Sequence, residues 1–379
     1  MVIADFNKPL ALPELDLVKK KAPLRLGFST GSAATAAALG AAIFIRHGRP
    51  PDKVTISLPK GESLDINISE ASRDHLGLIT CSVIKDAGDD PDVTNGAKIS
   101  VSLEPIDQPH IYLIGGSGVG RVTKPGLAAP VGGFAINPVP TRMLIEHLSL
   151  FISAIGPGLK ATVSILDGER LALKTLNPRL GVIGGLSILG TTGLVRPFSH
   201  QAYAQTIETA LKVALAQGLE EIVLTTGGRS ETMAREARPD LPLEGFIQIA
   251  DFFSFGLKSA AALGFKTIGL ASFFGKAVKQ ASGAAYTHAR SSDLDLGALA
   301  ASLKNLSSRL SYLISSASTA LNALEILKAE NQLWVVQELA QSVVKAAARF
   351  AGAKVNIWTQ IFDFDGLTLA RAELKGRDL

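Results

Sequence analysis

Two rhythms of apolar and polar residues divide the chain. Through about residue 175 the dominant pattern is short alternation. VTISLP (54–59) and SLDINI (63–68) alternate on either side of Lys60-Gly61, which reads as a β-hairpin. LITCSVIK (78–85), KISVSLE (98–104) and IYLIGG (111–116) read as further strands, and 24–28 as a short one. Two helices interrupt them. Residues 33–47 are Ala-rich, follow Ser29-Thr30-Gly31-Ser32 and stop at Gly48-Arg49-Pro50-Pro51, with a hydroxyl of Thr30 or Ser32 expected to cap the first turn. The second is expected over 140–155, ended by Gly156-Pro157-Gly158. ATVSILDGERL (161–171), laid over VTISLPKGESL (54–64), repeats its Thr, Ser, Gly, Glu and Leu positions. A helix–strand–turn–strand unit occurring twice is therefore expected here.

Beyond about residue 175 the rhythm changes. VIGGLSIL (182–189), EIVLTT (221–226), FIQIAD (246–251) and KTIGLAS (266–272) are short apolar runs. Helical patterns lie between them at 199–217, 230–238 and 253–263. Residues 294–350 are helical throughout, and KVNIWTQI (354–361) is a last strand. Strand–helix alternation of this kind predicts a mostly parallel sheet covered by helices. The fold class is α/β: an α+β domain over 1–175, then a Rossmann-like α/β domain over 176–379, with the boundary in 170–178. Residues 1–23 hold three prolines and read as an irregular lead-in.

Composition narrows the function classes. The chain has 379 residues, and 47% of them are hydrophobic, enough for two cores and incompatible with disorder. One cysteine, Cys81, excludes an intrachain disulfide framework and a thiolate metal cluster. MVIADFNKPL lacks a basic segment followed by an apolar one, and the Gly-broken apolar runs fall short of a membrane helix, so a cytoplasmic protein is expected. A net charge of +4 does not point to nucleic acid, but suits a polyanionic small substrate. A low charged fraction of 19% leaves apolar surface for a homo-oligomer interface or a large flat ligand.

Several segments can carry chemistry. GFSTGSAATAAA opens a helix with hydroxyls and glycine, an anion seat in principle. Lys85-Asp86-Ala87-Gly88-Asp89-Asp90-Pro91-Asp92 packs four carboxylates into seven residues, without calcium-loop spacing. The stretch 115–142 reads as a long Gly/Pro loop carrying Arg121, Lys124, Asn137 and Arg142. Gly190-Thr191-Thr192-Gly193 and Thr225–Arg229 are expected at adjacent strand ends of the second domain, forming the ligand crevice of an open α/β sheet. The stretch 275–290 adds Lys276, Lys279, His288 and Arg290, the last two with Thr287 able to grip a carboxylate.

Taken together, VIKDAGDDPDVTNGA (83–97), VTKPGLAAPVGGFAINPVP (122–140) and TLNPRLGVIGGLSILGTTGLVRP (175–197) resemble the cobalt-precorrin-5B C-1 methyltransferases of anaerobic cobalamin biosynthesis, the CbiD family. The resemblance runs in order from about residue 24 to 288. It implies S-adenosylmethionine as methyl donor and a cobalt-bearing tetrapyrrole as substrate, methylated at C-1 to give cobalt-precorrin-6A. Cobalt would arrive with the substrate, so no protein metal site is expected. Against that family, a Cys commonly stands where this chain has Ala33, a Tyr at Phe28 and a His at Phe273, and an Asn near Asp251. Such an enzyme mainly holds its two reactants in line, at ~3–3.5 Å. Asp86, Asp89 and Asp90 are then the expected catalytic group, facing the cationic donor, its ribose or a substrate proton. Gly190, Thr191, Thr192, Gly193, Thr226 and Gly227 would hold the donor. Thr30, Ser32, Lys124, Asn137, Arg142, Arg196, Lys276 and His288 would hold the substrate, with Arg229 and Arg290 as further partners for its carboxylates. The alternatives are a catalytically silent tetrapyrrole carrier of the same fold, motivated by Ala33 and Phe273, and a nucleotide-dependent enzyme using the Gly/Thr loops.

Overall fold

A computed structural model describes residues 24–289 and 294–376. The irregular lead-in at 1–23 and Arg290 lie outside the described residues. The chain forms two compact units divided between Ser199 and His200, not in 170–178.

The N-terminal unit begins with β1 (Gly27–Phe28) and α1 (Thr30–His47). Ser29, one residue earlier than expected, is the N-cap, its Oγ accepting from Ser32 N at 3.1 Å. Gly48, left-handed at φ 74°, ends the helix as its C-cap. The hairpin is present as β2 (Lys53–Ser57) and β3 (Ser63–Asn67), paired antiparallel. There follow β4 (Glu70–Arg73), β5 (Ile79–Ile84), β6 (Lys98–Ile106), β7 (Ile111–Gly115) and β8 (Arg121–Val122). The second helix is interrupted at Leu150 into α2 (Pro138–Ser149) and the short α3 (Ile152–Ile155). After β9 (Gly158–Ile165) the chain forms α4 (Gly168–Ala172), then β10 (Val182–Ile183) and β11 (Leu194–Val195).

The main sheet has order β4-β5-β6-β9-β7, antiparallel except where β7 meets β9. α1 covers it with Ala33 to Ala42 fully or almost fully buried, among Cys81, Val83, Ile99, Val101 and Val163. Small side chains let this helix pack closely on the strands: Gly40 leaves no room for a methyl group beside Ile68. The expected second copy of the repeat stops at its strand. The chain instead enters α4 at Gly168, which packs so closely on Gly118 that a Cβ would lie 2.2 Å from the Gly118 carbonyl oxygen.

The C-terminal unit runs α5 (His200–Ala216), β12 (Glu221–Thr225), α6 (Gly228–Ala237), β13 (Phe246–Gln248), α7 (Phe253–Leu263), β14 (Thr267–Phe273) and α8 (Phe274–Ala281). Four helices follow, α9 (Gly297–Leu303), α10 (Ser308–Ser315), α11 (Ala320–Ala329) and α12 (Trp334–Ala351), then β15 (Asn356–Phe362) and β16 (Thr368–Leu374). The sheet order is β13-β12-β14-β15-β16, parallel except for β16, an edge strand the apolar pattern does not announce. Side chains alternate between faces. Ile222, Leu224, Ile268, Leu270, Ile357 and Ile361 join a core with α5, α7, α8 and α12, while Val223, Ala271, Trp358 and Phe362 meet α6 on the other side.

β12 pairs with β13 on one side and β14 on the other, so the order reverses beside it. In open α/β sheets a ligand crevice lies outside the carboxyl ends of the strands at such a point. VIGGLSIL is not part of this sheet. Its backbone bonds go to the N-terminal unit: Leu186 N to Gly118 O at 2.9 Å, Ile188 N to Ala135 O at 2.8 Å, and β10 to β8.

Candidate functional site

The Gly/Thr turn of the N-terminal unit is a packed joint. Ser32 Oγ donates to Gly193 O at 2.7 Å. Thr30 Oγ1 accepts from Leu189 N at 2.9 Å and lies 3.1 Å from Ser187 O. Thr30 and Ser32 are buried, so the chain itself takes up the hydroxyls expected to bind substrate. A Cβ on Gly190 would stand 2.3 Å from Ser29 Oγ, and one on Gly193 2.6 Å from Leu58. Thr191 is exposed, and the Thr192 hydroxyl bonds locally to Leu194. Gly190–Gly193 therefore belongs to the N-terminal unit and is not at a strand end of the β12–β14 sheet.

The aspartate string follows β5, and its carboxylates have partners in the same unit. Asp86 pairs with the Arg25 guanidinium and accepts from Gly88 N at 2.8 Å. Asp89 accepts from Arg25 N at 2.6 Å. Asp90 accepts from the backbone N–H of Phe198, a left-handed residue (φ 55°), at 2.9 Å. Asp92 meets the fully buried Lys85 at 2.7 Å and accepts from Thr94. The Arg25 hydrogen bond, then the Gly88 N–H, hold the Asp86 carboxyl below its ordinary range. Burial pushes Asp92 up, but Lys85 and Thr94 outweigh it and the net shift is downward. Groups held ionised in this way anchor a loop well and accept a proton poorly.

Of the residues expected to hold substrate, Arg142 and Arg196 are exposed on this unit. Lys124 is half-buried, its stem lying over Gly181. Asn137 is the N-cap position of α2, but its amide makes no capping bond.

The C-terminal unit carries an open cleft of about 660 Å³. Its walls come from the carboxyl ends of β12 (Thr226 to Ser230), β14 (Phe273, Gly275, Lys276) and β15 (Phe364), with Thr287 and Thr319 among the further lining residues. The β12–α6 turn is closed by Ser230, which accepts from Gly227 N at 3.1 Å and donates to Gly227 O at 2.9 Å. Beside it, Gly227 and Gly228 have nothing within 4 Å of where a Cβ would stand. Their bare backbone, at the positive end of α6, faces space in which a ligand can approach. β14 runs straight into α8 and so delivers Lys276 to the cleft. Its ammonium pairs with Asp251 and donates to Thr287 O at 3.2 Å, while the Thr287 hydroxyl donates to Asp251 at 3.0 Å. An aromatic group adjoins: Tyr286 contacts His200 Nε2 at 3.2 Å and stacks on His288. Burial first, then the Asp251 charge, raise both Tyr203 and Tyr286 above the ordinary phenol range. Phe364 is not among the residues the sequence singles out, although it follows the carboxyl end of β15, the last strand the apolar pattern specifies.

A mostly parallel sheet with a cleft at its order reversal, in a chain that also forms an α+β unit, defines an α/β enzyme of the small-ligand type. The CbiD family profile matches residues 17–197, and the profile of the CbiD C-terminal domain matches 286–373. The chain belongs to the CbiD family. It is 39% identical, over 95% of its length and 98% of the relative's, to the cobalt-precorrin-5B C(1)-methyltransferase of Geobacillus kaustophilus (strain HTA426). It is 48% identical to the protein of that name from Geotalea daltonii, over 73% of this chain and 79% of that one. A crystal structure of a cobalamin biosynthesis protein (cbiD) from Archaeoglobus fulgidus is 27% identical, covering 66% of this chain and 78% of that one, with a TM-score of 0.38. Among the described residues no helix is long and apolar enough to cross a membrane.

Proposed function

We propose that this chain transfers a methyl group from S-adenosylmethionine to C-1 of cobalt-precorrin-5B, giving cobalt-precorrin-6A in anaerobic cobalamin biosynthesis. The observation that carries the reading is 39% identity sustained over 95% of the chain with a methyltransferase of that name.

The cleft of the C-terminal unit fits the donor. Its volume lies within the range of small-molecule sites. Gly228 offers a backbone N–H without a side chain in the way, and Thr226 and Thr319 offer hydroxyls. Bound there, S-adenosylmethionine supplies an electrophilic methyl group. Thr226 and Gly228 then fix its polar groups, Gly227 leaves room for them, and the apolar remainder of the wall excludes water. Lys276, oriented by Asp251 and Thr287, presents a cation at the cleft for a carboxylate. His288 enters as a neighbour of that group through its stack on Tyr286. In the N-terminal unit, Lys124, Arg142, Arg196 and Asn137 are the proposed contacts for the acetate and propionate groups of the macrocycle. Asp86, Asp89 and Asp90 enter as anchors of the loop after β5, and Thr30 and Ser32 as the joint holding Gly190–Gly193.

The test is incubation of the purified chain with methyl-labelled S-adenosylmethionine and cobalt-precorrin-5B under anaerobic conditions. The expected product carries one additional labelled methyl group, at C-1 by NMR. Tetrapyrrole binding without transfer, and without binding of S-adenosylhomocysteine, would instead establish a carrier.

A further inference from the structure

One edge of the cleft is an aromatic pair that the rest of the unit holds in place. Phe273 ends β14, and Phe364 lies in the turn between β15 and β16. Their rings are stacked, with centroids 5.4 Å apart and planes at 9°. Arg229 ties them together. Its guanidinium lies 5.3 Å from the Phe273 ring centre and donates to the Phe364 carbonyl at 2.5 Å.

The turn bearing Phe364 has its own anchor. Asp363 is buried; its carboxylate accepts from Asp365 N at 3.0 Å and Leu367 N at 2.8 Å, and meets Lys328 at 2.7 Å. Gly366 completes the turn at φ 95°, a value that side-chain-bearing residues rarely adopt. So fixed, Phe364 remains 42% exposed and lines the cleft. A phenyl ring left partly in water forgoes burial energy, and the tethers prevent it from turning inward to recover that energy. A flat ligand laid against it would.

Charge decides which flat ligand. The macrocycle is a polycarboxylate and needs unengaged cations around it. In the cleft Arg229 is engaged by the aromatic pair, Lys276 can meet one carboxylate beyond Asp251, and Lys279 has a partner of its own, which is too little charge for a polycarboxylate. A neutral heterocycle needs an aromatic face and hydroxyl or backbone groups at its edge; Phe364 provides the first, and the Thr226 hydroxyl and Gly228 N–H the second, along the same cleft.

We infer that Phe364, backed by Phe273 and held by Arg229, is the platform on which the adenine ring of the methyl donor stacks. The inference rests on the cleft being the donor's seat, as proposed above. Base–aromatic stacking tolerates any flat base but requires the π face, so alanine and tryptophan at this position have opposite consequences.

The experiment is calorimetric titration of the full chain and its variants with S-adenosylhomocysteine and with adenosine, alongside thermal unfolding. Phe364→Ala should weaken both ligands about fivefold or more, the lower end of what base stacking contributes, with an unchanged thermal midpoint. Phe364→Trp should bind at least as tightly as the parent. If Phe364→Ala fails to fold, Phe364→Leu keeps apolar bulk without a π face, and the same weakening is expected; unaltered affinity in the folded variant overturns the platform. Gly228→Ala separates the two readings. Weakening by Gly228→Ala but not by Phe364→Ala leaves the donor in the cleft and removes the platform. Unaltered affinity in both variants removes the cleft as the donor's seat.

Discussion

Two turns of nearly the same composition, Gly190-Thr191-Thr192-Gly193 and Thr225-Thr226-Gly227-Gly228, have opposite surroundings in this molecule. In the first, absent side chains make room for the protein itself: Ser29, Ser32 and Leu58 fill the space a Cβ would need, and Gly190 and Gly193 have φ of 140° and 79°. In the second, the glycines face empty space, and neither has a backbone conformation closed to other residues. One turn is a joint and the other an opening. Glycine content alone does not distinguish them, because close packing and ligand approach both ask for a missing side chain.

Adding a methyl group to each turn is the most direct way to break this comparison. Gly193→Ala places a Cβ 2.6 Å from Leu58 and 2.8 Å from Ser32 Oγ in a left-handed conformation. Strain and overpacking together should cost about 2–4 kcal/mol, read as a lower denaturant midpoint. Gly228→Ala should leave stability equal or higher by up to about 1 kcal/mol, since alanine favours the helix that starts there. The same variant should weaken S-adenosylhomocysteine about tenfold, because the new methyl group occupies the ligand's approach. If Gly193→Ala folds normally and loses donor binding, the assignments of joint and opening are reversed.

The hydroxyls sharpen the contrast at lower cost. Thr30→Val keeps shape but leaves the Leu189 N–H without its acceptor in a buried place. The expected loss is about 1–3 kcal/mol, measured by chemical unfolding. Thr226→Val removes a hydroxyl whose contact, Ser230 Oγ at 3.2 Å, still has Gly227 to bond. Stability should move by less than about 1 kcal/mol, while donor affinity falls. Equal stability losses in the two variants would remove the distinction.

These turns also mark how far the sequence could be read. Alternation around Lys60-Gly61 specified the β2–β3 hairpin, and apolar runs separated by helical periods specified β12, β13, β14 and β15, because each pattern is local. Glu221–Thr225 leading into a glycine pair correctly placed Thr226 and Gly227 at a strand end. VIGGLSIL has the same local look, yet its partners are residues 118–137 and Thr30-Gly31, more than forty positions earlier, and no local pattern reports them. The boundary near 175 and the pairing of the two Gly/Thr turns both followed from reading it as a strand of the second sheet. β16 escaped because TLARAEL, an edge strand, buries only alternate small residues, Ala370 and Ala372. The aspartates were conspicuous by composition, but whether Asp86, Asp89 and Asp90 are engaged depends on Arg25 and the Phe198 backbone, which are distant or main-chain partners.

The smallest expected effect tests whether that aspartate loop, like the 190–193 turn beside α1, is structural. Asp86 and Arg25 are 42% and 59% exposed, so solvent screens their attraction. Asp86→Asn should lower the thermal midpoint by about 2 °C or less at neutral pH. Because the folded carboxyl titrates below its unfolded value, its contribution is complete above the ordinary carboxylate range and disappears as pH falls through the lowered value. Parent and variant midpoints should therefore differ slightly at pH 7 and converge in acid. An anchor of this kind leaves methyl transfer within about threefold of the parent, since a 2 °C change does not alter the folded fraction at assay temperature. A collapse of turnover in Asp86→Asn with unchanged donor affinity and an unchanged midpoint would move the chemistry to this loop, and would make the cleft only the place where the donor is held.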